Sequence, residues 1–158
     1  MRAEGDPDFV YVTYIRASRE KVWAALTGRA ERAWWAGTTH ETDFKPGSAL
    51  TFRRNGNVDV RGKIVESQPP ARLVYTFHVE GPGPQHDEGE TRVTYELAED
   101  GEATKLTVIH GGFVKNSKVK TGISNGWPAI LSGLKSALET GRELDLAQWA
   151  RRDAEKKA

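Results

Sequence analysis

SNGWPAILSGLKSALETG, Ser124 to Gly141, is the stretch whose reading decides the fold. Trp127, Ile130, Leu131, Leu134 and Leu138 recur at helical spacing and share a stripe about 100° wide, with Ala137 beside it. Ser132, Lys135, Ser136 and Glu139 fall outside that stripe. Ser124 and Asn125 offer side-chain oxygens to the orphan N–H groups of a first turn, and Pro128 lies where a missing N–H costs little. Gly141 supplies the left-handed residue that commonly closes a helix. About 17 residues at ~1.5 Å each give a rod of roughly 25 Å. A rod that long, apolar on one side only, requires a broad apolar partner.

Composition bounds what that partner is. A chain of 158 residues is the size of one domain with its own core. Hydrophobic residues make up 37% and charged residues 28%, the balance of a soluble globular protein. The net charge of +1 gives no global field for nucleic acid or an acidic membrane. There is no cysteine, which excludes disulfides, thiolate metal sites and a cysteine nucleophile. The opening MRAEGDPDF has no apolar signal-peptide core, and no run approaches the ~20 apolar residues of a membrane span. A cytoplasmic protein is expected.

The partner is a sheet. Phe9 to Ile15 is rich in β-branched and aromatic residues and predicts a first strand. Ser18 then caps a helix with the apolar face Val22, Trp23, Ala25 and Leu26, broken at Gly28. A second short helix is predicted over Ala30 to Trp35. From about Thr39 to His110 the period is two. Strands are expected over Ala49–Arg54, Val58–Ser67, Arg72–Glu80, around Val93–Leu97 and around Leu106–His110, with turns at Asn55-Gly56-Asn57, Gln68-Pro69-Pro70 and Glu99-Asp100-Gly101. Gly81 to Gly89 is a polar loop, long for a hairpin. Gly111 to Gly122 reads as a loop into the long helix. Arg142 to Ala158, with Leu144, Leu146 and Trp149, reads as a weakly docked extra helix.

That order resembles the helix-grip, START-like (SRPBCC) architecture: α+β, a curved antiparallel sheet of about six to seven strands around a long C-terminal helix, with two short helices after strand one. Particular residues sharpen the likeness: Ser18-Arg-Glu-Lys-Val-Trp-Ala-Ala-Leu26, Trp34-Trp35, Lys45-Pro-Gly47, Gly62-Lys-Ile-Val-Glu66 with Pro69-Pro70-Ala-Arg-Leu73, and Gly126-Trp127-Pro128 with Ile130-Leu131. In that order they resemble the subfamily named for homologues of the activator of heat-shock-protein ATPase. The resemblance runs from about Val10 to Gly141. It implies one START-like domain over residues 1–158, with a core of about 9–141 and an extension over 142–158. The subfamily includes co-chaperone domains and proteins that bind hydrophobic natural products, so the fold does not by itself name a function.

A sheet curved around a helix leaves a gap wherever side chains are too small to fill it. Strand parity turns Phe52, Leu73, Tyr75, Phe77, Val93, Tyr95, Leu97, Leu106, Val108 and His110 inward, opposite Trp127, Ile130, Leu131 and Leu134 of the helix. These residues form a solid core or line an aromatic pocket. The candidate ligand-binding set is Trp35, Phe52, Tyr75, Phe77, Tyr95, His110, Trp127, Ile130, Leu131 and Leu134. Adjacent tryptophans on a helix diverge by about 100°, so Trp34 and Trp35 read either as one anchor and one residue at the pocket mouth or as two packing residues. His110 is the polar residue at the pocket's end, structural or ligand-directed. His40, His78 and His86 are scattered, His86 beside the loose acidic cluster of Asp87, Glu88 and Glu90. No H-x-x-x-H or similar spacing occurs, so neither a metal site nor a cofactor is expected.

No G-x-S-x-G, phosphate-cradling glycine loop or paired interior carboxylate occurs, and no catalytic residue is assigned. Glu66 and Glu96 read as solvated. Arg53, Arg54, Arg61, Lys63 and the lysines of 115–120 read as solvated faces, so neither nucleic acid nor membrane is an expected partner. The leading expectation is non-catalytic binding of a hydrophobic small molecule between sheet and helix. The alternatives are stimulation of a heat-shock chaperone's ATPase and cyclase-like catalysis on a polyketide-type substrate.

Overall fold

The computed structural model describes residues 4–28, 33–35 and 37–146. Strand β1 (Phe9–Ile15) leads into helix α1 (Arg19–Thr27), whose N-cap Ser18 accepts from the Lys21 amide at 3.2 Å. A single 3-10 turn (Ala33–Trp35) follows, then β2 (Thr39–Glu41), β3 (Ala49–Arg54), β4 (Asn57–Gln68), β5 (Arg72–Val79), a short helix α2 (Pro84–Asp87), β6 (Thr91–Asp100), β7 (Ala103–Gly111) and helix α3 (Lys118–Thr140). All strands pair antiparallel in one sheet of order β1-β7-β6-β5-β4-β3-β2. The chain is an α+β helix-grip fold.

Two register shifts bend the sheet, one between Phe52 and Arg53 where β3 meets β4, one between Ile64 and Glu66 where β4 meets β5. An extra residue on one strand of a pair increases local twist and turns the strand. The curved inner face is apolar. Leu73, Tyr75, Phe77, Val93, Tyr95, Leu97, Leu106 and Val108 are all buried, and α3 covers them with Trp127, Leu131 and Leu134. The outer face is mixed: Arg72 bridges Glu66 at 3.2 Å and Glu96 at 2.8 Å, while Val10, Val12 and Tyr14 of β1 are exposed.

Helix α3 begins six residues before Ser124, at Lys118, so the last part of the Gly111 to Gly122 segment expected to be a loop, residues 118–122, forms its first turn. The start is set by groups remote in sequence. Ser117 is the N-cap, and its buried hydroxyl accepts from the Lys120 amide at 2.9 Å and donates to Glu88 at 2.5 Å. Glu88 also accepts from the Lys118 amide at 2.6 Å, and Asp6 accepts from the amides of Asn116 and Ser117 at 2.9 and 2.8 Å. Two carboxylates thus face the positive end of the helix dipole. The Ser117 and Asn116 amides hold the Asp6 carboxyl below its ordinary pKa. Ser124 and Asn125, expected as caps, turn back onto the carbonyls of Lys120 and Thr121. Pro128 therefore lies inside α3. Its missing N–H leaves the Ser124 carbonyl without a helical partner. At the other end Gly141 is left-handed as expected (φ 73°), its amide donating to Ala137. Ser117→Ala is expected to cost about 1–2 kcal/mol, measured by urea unfolding.

Other expectations need correction. The loop of Gly81 to Gly89 contains α2. Of the second short helix only the 3-10 turn lies in the described residues, and the helix expected in the C-terminal extension lies outside them beyond Leu146. Trp34 and Trp35 are both buried (5% and 6% exposed), because a tight turn wedged between sheet edge and helix is covered on both sides. α3 approaches that turn closely enough that a Cβ at Gly133 would lie 3.0 Å from the Trp34 carbonyl oxygen. A side chain there would require the Trp34 turn to give way by a few tenths of an ångström.

Candidate functional site

Rings from four elements meet under the first half of α3. Trp35 of the 3-10 turn stands edge-on to Phe52 of β3 and to Trp127 of α3, with centroids 5.5 Å apart in each case. Phe52 contacts Tyr75 and Phe77 of β5 at 5.8 and 6.4 Å. Tyr95 of β6 completes the group, 5.5 Å from Tyr75 and 6.0 Å from Trp127. These tilted contacts suit the aromatic quadrupole. The two phenols share a hydrogen bond, their hydroxyls 2.7 Å apart.

His110 is fully buried and engaged on both sides. The Trp127 indole N–H donates to its Nδ1 at 3.1 Å. An indole only donates, so Nδ1 is the acceptor and the neutral ring carries its proton on Nε2. Nε2 lies 2.8 Å from the Thr91 hydroxyl, which donates onward to the Phe77 carbonyl at 3.0 Å. One chain of hydrogen bonds thus runs from α3 through β7 and β6 to β5. Burial lowers the His110 pKa to about 3, so the ring stays neutral.

Beside these rings lies a cavity of about 150 Å³, lined by Trp35, Thr38, Phe52, Arg54, Asp59, Val60, Phe77, Gly122, Ile123, Gly126, Trp127 and Ile130. Of the candidate residues it brings together Trp35, Phe52, Phe77, Trp127 and Ile130. Tyr75, Tyr95, His110, Leu131 and Leu134 pack behind, each at most 2% exposed. Ile130 is the one candidate only half-buried.

Sequence reasoning missed the polar part of this lining. Thr38 is 1% exposed, and its Oγ1 has no hydrogen-bond partner among the described residues; neither does the buried Nε of Arg54. Arg54 is not merely part of a solvated patch: it reaches Asp59 with its Nη2, 2.5 Å from the carboxylate. It lies two residues from Phe52 on β3, the inward parity, so alternation carried a signal for it. Gly122 and Gly126 open the helix face above the cavity, and a Cβ at Gly126 would meet nothing within 4 Å. The ionisable groups of the lining are Arg54 and Asp59, paired with each other. The lining is chiefly aromatic and aliphatic, with Thr38, Arg54 and Asp59 as its polar members.

Residues 16–139 match the profile of the family described as Activator of Hsp90 ATPase homolog 1-like protein. The chain belongs to that family. Among curated proteins none matches its sequence. Solved structures share the fold of this family member. Protein MLL2253 of Mesorhizobium loti superposes with a TM-score of 0.73 at 23% identity, over 84% of this chain and 96% of that one. The Aha1 dimer of Colwellia psychrerythraea gives 0.67 at 24%, over 87% and 99%. An HSP90 activator of Plasmodium falciparum gives 0.67 at 18%, over 83% and 95%. At such identities the likeness is one of fold. No helix among the described residues is long and apolar enough to cross a membrane.

Proposed function

We propose that this family member binds a small hydrophobic molecule carrying one polar group, in the cavity between the sheet and α3. The observation that carries the reading is a largely apolar cavity whose wall includes the Thr38 hydroxyl, buried and without a partner among the described residues. A buried hydroxyl left unpaired costs about 1–3 kcal/mol, and such groups in a native structure call for an explanation. A ligand oxygen placed between Thr38 and Arg54 supplies one. An apolar cavity of about 150 Å³ takes a benzene-sized group, so the ligand inserts a single ring or short branched chain rather than a large polycycle.

The test is quenching of tryptophan fluorescence by benzyl alcohol and by toluene, alongside native mass spectrometry of the purified protein. Benzyl alcohol is expected to saturate and to bind more tightly than toluene. Thr38→Val should erase most of that difference, about tenfold for one hydrogen bond. Gly126→Leu should fill the cavity and abolish binding of both while leaving the fold intact. Absence of saturable quenching, or binding indifferent to Gly126→Leu, would overturn the reading.

The family match favours a second reading, stimulation of a heat-shock chaperone's ATP hydrolysis. A steady-state ATPase assay with the Hsp90 of the same organism separates the two. Stimulation that survives Gly126→Leu would belong to a surface other than the cavity.

A further inference from the structure

We propose that His78, Glu80 and His86 form a divalent transition-metal site, of the zinc type, on the outer face of the sheet. His78 and Glu80 have the parity opposite to Tyr75, Phe77 and Val79 and so lie outside the cavity. His86 comes from α2, eight residues further along, folded back over β5. The two rings lie 4.7 Å apart at their centroids, and each of the three side chains offers a ligand atom within 4.8 Å of the other two.

The hydrogen bonds around the rings select which nitrogens are available. His78 Nε2 lies 3.0 Å from the His86 carbonyl oxygen, and His86 Nδ1 lies 3.0 Å from the Val79 carbonyl oxygen. A carbonyl only accepts, so both of these nitrogens carry protons. In the neutral rings the lone pairs therefore sit on His78 Nδ1 and His86 Nε2. His78 Nδ1 faces Glu80 Oε2 at 2.5 Å. A lone pair and a carboxylate that close repel unless a positive charge joins them, either a proton or a metal ion. Backbone carbonyls that fix the tautomer of each ring are the usual outer partners of metal-bound histidine. Arg61 Nε, 3.3 Å from Glu80 Oε1, holds the carboxylate's other oxygen in the same way. Bonds of about 2.0–2.1 Å in tetrahedral geometry separate ligand atoms by roughly 3.3 Å. His78 Nδ1 and Glu80 Oε2 are 2.5 Å apart and one ligand atom from each of the three side chains lies within 4.8 Å of the others, so side-chain rotations are needed to reach that spacing.

Two imidazoles and one carboxylate are a borderline-soft set suited to zinc, with a fourth position left for water or an anion. That position opens on a shallow groove flanked by Arg61 and Lys63. A metal there joins the loop carrying His86 to β5. Two residues on, Glu88 caps α3, so the ion also tightens the helix start.

The full chain, stripped with EDTA, is titrated with zinc chloride by calorimetry and with cobalt(II) by visible absorption. The expected result is one equivalent bound, with the intense bands of four-coordinate cobalt and a raised Tm. His78→Ala, His86→Ala and Glu80→Gln should each weaken binding about tenfold or more, while Glu90→Gln, in the same groove, should not. Imidazole nitrogen shifts of the unaltered protein give a readout free of folding effects: zinc should move His78 Nδ1 and His86 Nε2 and leave His110 in place. No saturable step, or one that survives both alanine variants with no shift at either nitrogen, overturns the site and leaves a His78 imidazolium–Glu80 ion pair.

Discussion

Trp127→Ala is expected to cost about 3–5 kcal/mol, the range for truncating a buried aromatic. Trp127 is 3% exposed and stands against Trp35, Tyr95 and His110, so its loss removes three ring contacts and opens a void between α3 and the sheet. It also removes the donor to His110 Nδ1, leaving a buried acceptor unpaired. Domains of this size have ~5–15 kcal/mol in all, so a large part of the folding free energy goes with one side chain. Trp127→Phe separates the two effects. It keeps most of the ring area and loses the N–H, and should cost about 1–3 kcal/mol. Urea unfolding of both variants checks the ordering. Equal costs would assign the whole effect to the hydrogen bond.

Acid is the second strong lever. His110 is neutral in the fold, with a pKa lowered to about 3 by burial from an ordinary value of 6.5. A depressed folded pKa means that only the unfolded chain takes up the proton as pH falls below 6.5. Stability is therefore full above that value, declines through the interval down to about 3, and then levels for this group. Each pH unit in the interval removes about 1.4 kcal/mol, roughly 4–5 kcal/mol over the whole span. Asp6 and Glu139, both with lowered pKa, add to the loss in the lower part of the range. Their carboxylates also favour the fold above their unfolded pKa and lose that as pH falls. The discriminating measurement is the pH slope of unfolding free energy in His110→Gln. It should lack about one proton's worth of slope between pH 6 and 4 relative to the unaltered chain. Parallel curves would show that His110 is charged in the fold.

Much of this fold was legible because its sheet has one buried face. Alternation over Leu73, Tyr75 and Phe77, and again over Val93, Tyr95 and Leu97, assigns an inward side with no knowledge of the partner strand. The stripe of Trp127, Leu131 and Leu134 names the element that covers it. The start of α3 was not legible, because Glu88 and Asp6, which help set it, come from a loop and from the N-terminal segment. The polar end of the cavity was hidden for a related reason. Thr38 stands in a short irregular stretch without periodicity, and the opening above it is made by what Gly122 and Gly126 lack. The closeness of His78 and His86 was missed because their spacing follows no metal motif. It arises when α2 folds back onto β5, inside a segment that reads as plain loop.

Pro128 divides α3 into two segments with different moorings. Beyond it, Leu131 and Leu134 are sunk in the core, Lys135 holds the β1 backbone at Tyr14 and Glu139 holds the Arg16 amide just after the strand. Before it, the segment carrying Gly122, Ile123 and Gly126 roofs the cavity and is fastened at its outer end by Glu88 and Asp6. The break in the hydrogen-bond ladder falls next to Trp127, at the inner edge of that roof. On the function proposed above, a ligand would have only this part of one helix to displace, because the sheet forms the other wall of the cavity. Neutralising Asp6 or Glu88 removes the caps of the helix start, so the roof over the cavity and the anchoring of α3 answer to the same carboxylates.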